Sequence, residues 1–531
     1  MSLLYRSSEL RRLEEAAAAE LPAGALMQRA GRGAAEAIHG WLDAQPLAAP
    51  AVDGEILVLC GPGNNGGDGY ACAAALRRLG HRCVCWAARP GKRTDALAAR
   101  ARWSQDGGRI VADLPPAQGV RLVVDALFGI GMARPLDDPF LGALRWAQAQ
   151  ALPLVALDLP SGLDPDTGAW VGGVAGAPAR LTITFLGDKP GLHTLEGIDA
   201  AGTIVLDRLG VDEPDGAAPA GAVRAMGRLN EPALFPLALQ RRPSNANKGD
   251  FGSVAIVGGA TGMVGAVLLA GRAALRLGAG KVYVHALGAP DLGVDPLQPE
   301  LMLRPAAADG SYATPADVVV AGCGMGTDAA AERALHCALA HPGGLVLDAD
   351  ALNLIGASAA LRQRVRARAP GTTILTPHPG EAARLLGVST AQVQQDRVAR
   401  ALELAQSCAA LVVLKGAGSV IALAPAPGAA QGHYVINPTG GPALSSAGTG
   451  DVLAGMIGAL LGQFVRGGDA AGDGFAPAAA PVQATLAAVW LHGRAAQDHG
   501  AQLGLAASDI ALLAARALQR LRDAPAGDAR P

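Results

Sequence analysis

Short apolar runs alternate with amphipathic stretches along nearly the whole chain. Glu55-Ile-Leu-Val-Leu-Cys60, 121–125, 154–158, 253–257, 281–286, 317–321, 344–348 and 412–415 each read as a buried strand. Most end in Asp or run straight into Gly, and continuous rather than alternating apolar runs of this length suit a parallel sheet covered on both faces. Helices are expected at 8–20, opening at Ser8, at 24–44, and from about Tyr70 to Leu79. In Arg82-Cys-Val-Cys-Trp86 the period-2 alternation puts Cys83 and Cys85 on one face of a strand. Strands alternating with helices over nearly 300 residues of the second half predict a large α/β domain with a mostly parallel sheet.

Composition sharpens this in a few places. The 531 residues suffice for two or three domains, and 50% hydrophobic against 17% charged residues leaves ample core. A net charge of −2 gives no reason to expect nucleic acid or anionic membrane as a partner. The seven cysteines form no disulfide framework and no second pair lies at zinc-ligand spacing, so a reduced, cytoplasmic protein is expected. No basic-then-apolar leader opens the chain, and no uncharged apolar run approaches the ~20 residues that span a bilayer. Between Leu209 and Gly227 the sequence turns to Asp, Pro, Gly and Ala, which reads as a connection between folded units. Ala424–Gly432, Arg466–Pro481 and the tail beyond Arg522 read as loops or loose segments. No internal repeat is present.

The chemistry gathers at strand ends. Glu55–Cys60 runs into Gly61-Pro-Gly-Asn-Asn-Gly-Gly-Asp-Gly69, which lacks the Lys-Ser/Thr of a P-loop and the spacing of a dinucleotide fingerprint. Its Asn64, Asn65 and Asp68 instead offer oxygens to a cation or a polar ligand. Two later strands end at Asp125 and Asp158, the second followed by Ser161; in a parallel sheet these ends share one edge. A lone Asp in such a place is as often a cap for the next helix. In the second half, Gly258–Gly265, Gly322–Gly326, Asp348 with Asp350, His378 and Lys415–Ser419 fall at corresponding strand ends. Ser445–Gly450 then brings small residues to Asp451 at the start of an apolar helix. Backbone N–H groups at a helix start bind anions, and Asp451 beside them is placed to take a proton from a hydroxyl. The plain alternative is an Asp cap after a glycine turn.

Two families are resembled. Residues from about 5 to 212 resemble NAD(P)H-hydrate epimerase domains through GPGNNGGDGY (61–70), VDALFGIG (124–131), LDLPSGLD (157–164) and TITFLGDKPGL (182–192). This implies a Rossmann-like three-layer fold and interconversion of the R and S hydrates of NADH or NADPH. By position it implies a K+ held by Asn65, Asp125 and Ser161. Substrate contacts would come from Asn64, Asn65, Gly66, Gly67 and Asp68, from Gly129, Ile130, Gly131, Met132, Ala133, Arg134 and Pro135, and from Asp158, the expected acid/base.

About 228–522 is similar to the ADP-dependent NAD(P)H-hydrate dehydratases, of ribokinase-like fold. The similarity is carried by NKGDFGSVAIVGG (247–259), GCGMG (322–326), LDADALN (347–353), LTPHPGEAARLLG (375–387), LKGAG (414–418) and NPTGGPALSSAGTGDVLAG (437–455). It implies phosphorylation of the C6 hydroxyl of the S hydrate by ADP or ATP with Mg2+, followed by loss of phosphate. Asp451 would be the base, and Lys415, Gly416, Ala417, Gly418, Ser419 and Gly450 would contact the nucleotide. Ala266, Gly326, His378 and Asp451 would contact the hydrated cofactor. At Pro442-Ala-Leu-Ser-Ser446 the chain departs from the expected Pro-Gly-Met-Ala-Thr.

The expected layout is therefore an epimerase domain (1–212), a linker (213–227), a dehydratase domain (228–522) and a tail (523–531), assembling as a homo-oligomer. A kinase of the ribokinase type acting on a small vitamin or sugar explains Asp451 equally well but leaves the first half without a purpose. A binding-only sensor is opposed by intact Asp158 and Asp451.

Overall fold

A computed structural model describes residues 2–44, 54–89, 91–211, 223, 225–289, 291–307, 309–313, 315–425, 432–466 and 479–524. Most of the expected linker (212–222 and 224), the centres of two expected loops (426–431 and 467–478) and the tail from 525 lie outside these. The chain divides into two compact units, Ser2–Gly227 and Arg228–Pro531. Among the described residues no helix is long and apolar enough to cross a membrane.

The first unit is built on a seven-stranded parallel sheet. Its order is Arg109–Val111, Cys83–Trp86, Glu55–Cys60, Val120–Ala126, Leu154–Leu157, Leu181–Phe185 and Thr203–Asp207. Alternate side chains feed two separate cores. Ile56, Val58, Cys60, Cys83, Cys85, Leu122 and Val124 join the helices Ala25–Ala44 and Asn64–Arg78 on one face. Leu57, Leu59, Val84, Trp86 and Val123 join Phe140–Ala149 on the other. The cysteines of 82–86 thus share a face, and all seven cysteines are free. Strand order reverses between Glu55–Cys60 and its neighbour Val120–Ala126, with Leu59 opposite Asp125. A crevice opens at the carboxyl ends of strands at such a reversal, the usual ligand site of doubly wound sheets.

Two elements differ from their sequence reading. The first helix begins at Ser7 rather than Ser8, because Asp166 accepts from both the Ser7 N–H (2.7 Å) and Oγ (2.8 Å) while Glu9 closes back on the Arg6 N–H (2.8 Å). The glycine-rich run is not a turn leading to a helix at Tyr70; from Asn64 onward it is itself helix, Asn64–Arg78. Glycine is there for space. A Cβ on Gly66 would lie 1.9 Å from the Gly61 carbonyl oxygen, and one on Gly67 2.5 Å from the Met27 methyl. Gly66→Ala is expected to cost the first unit roughly 1–3 kcal/mol through backbone overpacking, read as an earlier urea-unfolding transition of that unit.

In the second unit the strands Met302–Leu303, Lys281–Ala286, Ser253–Gly258, Val318–Ala321, Gly344–Leu347, Thr373–Leu375 and Leu411–Leu414 are mutually parallel. Val420–Ala422 and Tyr434–Ile436 continue the sheet antiparallel. The α/β class and the mostly parallel sheet are as the sequence predicts. Helices Val264–Arg276, Thr449–Arg466, Ala480–His499 and Ala507–Asp523 cover one face and share its core.

Candidate active sites

The crevice of the first unit is a cleft of about 960 Å3. Asn64, Asn65 and Asp68 enter from the start of Asn64–Arg78, and Gly129, Ile130, Gly131, Met132 and Arg134 from the loop after Val120–Ala126. Glu14 enters from Ser7–Glu20, and Asp158 with Lys189 from across the sheet edge. Gly66, Gly67, Ala133 and Pro135 are not among its lining residues. Asp125 and Ser161 sit beneath it, fully buried. The Asp125 carboxylate accepts from the Ser161 Oγ (2.7 Å) and N–H (2.8 Å) and from the Leu127 N–H (3.1 Å). Asn65 donates Nδ2 to the Leu157 carbonyl (3.1 Å), while its buried Oδ1 has no hydrogen-bond partner. An orphaned buried acceptor is costly unless something satisfies it.

Asp158 is held in an uncommon state. Its φ is +69°, in the left-handed region. Oδ1 is 2.8 Å from the ammonium of Lys189, and Oδ2 accepts from the Ile130 N–H (3.1 Å). Lys189 is only 1% exposed and also donates to Thr184 Oγ1 (2.6 Å) and to the carbonyls of Phe185 (3.3 Å) and Gly187 (3.2 Å). Burial, reinforced by the charge on Asp158, pushes the Asp68 carboxyl well above the usual range; the same two causes raise Glu14. The cleft therefore sets an ion-paired carboxylate beside carboxyls whose pKa values are raised, the pattern of an acid/base site.

In the second unit the strand ends meet at Asp451. Ligand atoms of Cys323, Asp348 and Asp451 lie within 4.8 Å of one another. Asp451 is not a cap but the third residue of Thr449–Arg466, which follows Gly448 at φ +88°. Burial, then the neighbouring Asp348 charge, pushes its pKa up to about 6. Asp348 Oδ1 takes the Lys415 ammonium (2.6 Å) and the Thr376 hydroxyl (2.8 Å). Gly450 lies against this pair: a Cβ there would be 3.2 Å from Lys415 Nζ and 3.6 Å from Asp348 Oδ2. Gly326 donates its N–H to Asp350 (2.8 Å), and Ala266 lies on the adjoining helix Val264–Arg276. His378 caps Pro379–Leu386, its Nδ1 accepting from the Gly380 N–H (2.9 Å). Burial and the charge of Lys415 lower its pKa, as an accepting, neutral ring requires. Buried His492, held neutral with a pKa of about 4 chiefly by burial, bonds the Thr449 carbonyl (3.0 Å) and so fixes the first turn beside Asp451.

Residues 254–520 match the NAD(P)H-hydrate dehydratase family and 23–191 the family described as YjeF-related protein N-terminus. The bifunctional NAD(P)H-hydrate repair enzyme Nnr of Escherichia coli (strain K12) is 37% identical over 83% of this chain and 83% of its own. That of Coxiella burnetii is 34% identical over 96% and 98%, and that of Gloeobacter violaceus 35% over 96% of each. The chain belongs to the bifunctional NAD(P)H-hydrate repair enzymes. Each half of this bifunctional NAD(P)H-hydrate repair enzyme contains one of the two sites just described.

Sequence reasoning alone leaves several residues of these sites without a role. Lys189 lies inside the quoted block 182–192, but an isolated lysine reads as surface until the fold wraps Thr184 and Asp158 around it. Cys323 and Asp348 also lie in quoted motifs, and their position at strand ends beside Asp451 was the available signal. Glu14 and His492 carry none, since nothing local distinguishes them on their helices.

Proposed function

We propose that the first unit epimerises the R and S hydrates of NADH and NADPH at C6, and that the second dehydrates the S hydrate at the expense of ADP or ATP. The observation that carries the reading is one chain holding two separate strand-edge sites, each built around an aspartate, in a family of bifunctional hydrate repair enzymes. In the cleft, Asp158 is the base for the C6 hydroxyl, oriented by Lys189 and the Ile130 N–H. Asp68, whose carboxyl burial and the Asp158 charge push upward, faces the substrate from the same cleft. Ala133, Pro135, Gly66 and Gly67 act through the backbone they set, and Asn64, Asn65, Asp68, Gly129, Ile130, Gly131, Met132 and Arg134 as direct contacts.

A K+ held by Asn65 Oδ1, Asp125 and Ser161 suits the site: these are hard oxygen donors, and Asn65 Oδ1 is a buried acceptor in need of a partner. Such an ion would fix the loops after Cys60, Ala126 and Leu157 against one another.

In the second unit Asp451 takes the hydroxyl proton, and the N–H groups at Gly448–Gly450 hold the phosphoryl group in transfer. Lys415 to Ser419 hold the nucleotide phosphates; Ala266, Gly326 and His378 flank the hydrated nicotinamide. Bound Mg2+ supplies charge neutralisation on the phosphates. Asp348 would be the hard ligand for it, whereas the Cys323 thiol, pushed up by burial, would be no ligand for this ion. Because Asp451 must be ionised to accept a proton, dehydration is expected to fall as pH drops through about 6 and to level off above it. Asp451→Asn, with no group to titrate there, loses that inflection in the kcat/KM profile.

The seven free cysteines support a cytoplasmic location, and a homo-oligomer is part of the same reading, checked by light scattering. The whole reading is tested with purified protein, mixed R and S hydrates and ADP, following dihydronicotinamide absorbance. Full recovery is expected. No recovery with ADP or ATP refutes the dehydratase assignment, and a phosphorylated product that accumulates points to a simple kinase.

A further inference from the structure

Behind the loop Leu414–Gly418 lies a cation that the chemistry above does not use. Arg397 opens the helix Arg397–Cys408 and is 1% exposed. Its Nη2 donates to the carbonyls of Leu414 (3.2 Å), Lys415 (3.3 Å) and Gly418 (3.4 Å), and Nη1 to Gln394 Oε1 (2.8 Å). The loop is moulded onto the guanidinium. Gly416 has φ +140°, and a Cβ on it would lie 2.8 Å from Arg397 Nη1, so only glycine lets the chain pass this closely. Gly418, at φ +63°, completes the wrap.

From this geometry we infer that Arg397 is a positioning residue for nucleotide binding, acting through the Lys415–Gly418 backbone. The inference rests on the proposed nucleotide role of that loop. Two physical effects support it. Carbonyl dipoles of Leu414, Lys415 and Gly418 are drawn onto the guanidinium, so their negative ends are withdrawn from any phosphate laid on the loop. All three carbonyls converge on the one Nη2 while Nη1 holds Gln394 Oε1, so the rigid planar guanidinium ties the loop to a fixed neighbour, which a flexible ammonium does less well. Burial lowers the Arg397 pKa to about 10, still far above neutrality, so the site keeps its positive charge under phosphates. The same loop carries Lys415 to Asp348, so Arg397 also sets the reach of that ion pair toward Asp451.

The test uses the full chain and ADP itself as the probe, by calorimetry and by steady-state dehydration of the S hydrate. Arg397→Met is expected to weaken ADP binding and raise its KM on the order of 100-fold, the scale of ångström misplacement. The KM for the S hydrate should move little and kcat at saturating ADP should fall less than the ADP KM rises. Arg397→Lys should recover part of the loss. Gly416→Ala breaks the same contact from the loop side with the arginine intact. It should give the same ADP-selective defect, with no further loss in the double variant because the two changes share one interaction. Epimerisation by each variant should match the unaltered chain. Unweakened ADP binding in Arg397→Met or in Gly416→Ala, or a fall in kcat with an unchanged ADP KM, overturns the inference. Failure of the unaltered chain to bind ADP overturns the nucleotide reading, and the inference with it.

Discussion

Asp451→Asn is expected to reduce dehydration of the S hydrate by ~100- to 10,000-fold, the usual worth of a well-placed general base, while R and S still interconvert. The isostere keeps the shape of the first turn, which Gly448 and the His492–Thr449 bond fix independently. What it removes is the acceptor for the hydroxyl proton. It also relieves the burial of a charge beside a second carboxylate, the two causes that raise Asp451, since Asp348 stays paired with Lys415 and Thr376. Stability should therefore hold or rise, separating loss of chemistry from loss of fold. Single-turnover measurement with saturating ADP checks this: a phosphorylated hydrate forming at the normal rate in Asp451→Asn would remove Asp451 from the base role.

The second large effect concerns Asp158. Asp158→Ala should stop epimerisation, so that a mixed R and S sample yields NADH only up to its S fraction, with the remainder limited by uncatalysed interconversion. Here stability does not stay constant. Lys189 is a fully buried cation, and removing its carboxylate leaves that charge with only the Thr184 hydroxyl and two carbonyls. Breaking a buried pair costs about 3–5 kcal/mol, with the remaining acceptors offsetting part of it. The double variant Asp158→Ala/Lys189→Met removes both charges, and it should unfold at higher urea than Asp158→Ala while remaining inactive in epimerisation. Recovery of activity together with stability would mean that Asp158 matters only as the partner of Lys189.

Much of this was legible in the residues, for a physical reason. The strands are continuous apolar runs that stop at Gly or Asp, and parallel-strand ends share an edge, so Asp158, Asp348 and Asp451 could be assigned to strand-edge sites before any coordinates. The α/β class follows from the same alternation. The glycine-rich run 61–69 misled because glycine signals two things, a reversed backbone or lack of room, and only packing against Gly61, Met27 and Ala126 separates them. The helix there begins at Asn64, which is why Asn64 and Asn65 face the cleft from a first helical turn instead of a free loop. The sequence places His378 at a strand end, and its acceptance of the Gly380 N–H makes it the cap of Pro379–Leu386 as well. Lys189 and Arg397 were illegible as functional groups because their roles depend on carbonyls and hydroxyls from other segments. Long-range polar networks leave no periodicity in a sequence.

The central claim is that two independent sites in one chain act in succession, and pure R hydrate tests it most directly. With ADP, the unaltered chain should convert it completely to NADH. Asp158→Ala should convert it only at the uncatalysed rate, and Asp451→Asn should convert it to an R and S mixture and stop. An equal mixture of the two variants should restore full recovery, since each supplies the site that the other lacks. Failure of that mixture, with each variant folded and retaining its own remaining activity, would contradict the division of labour between the two sites.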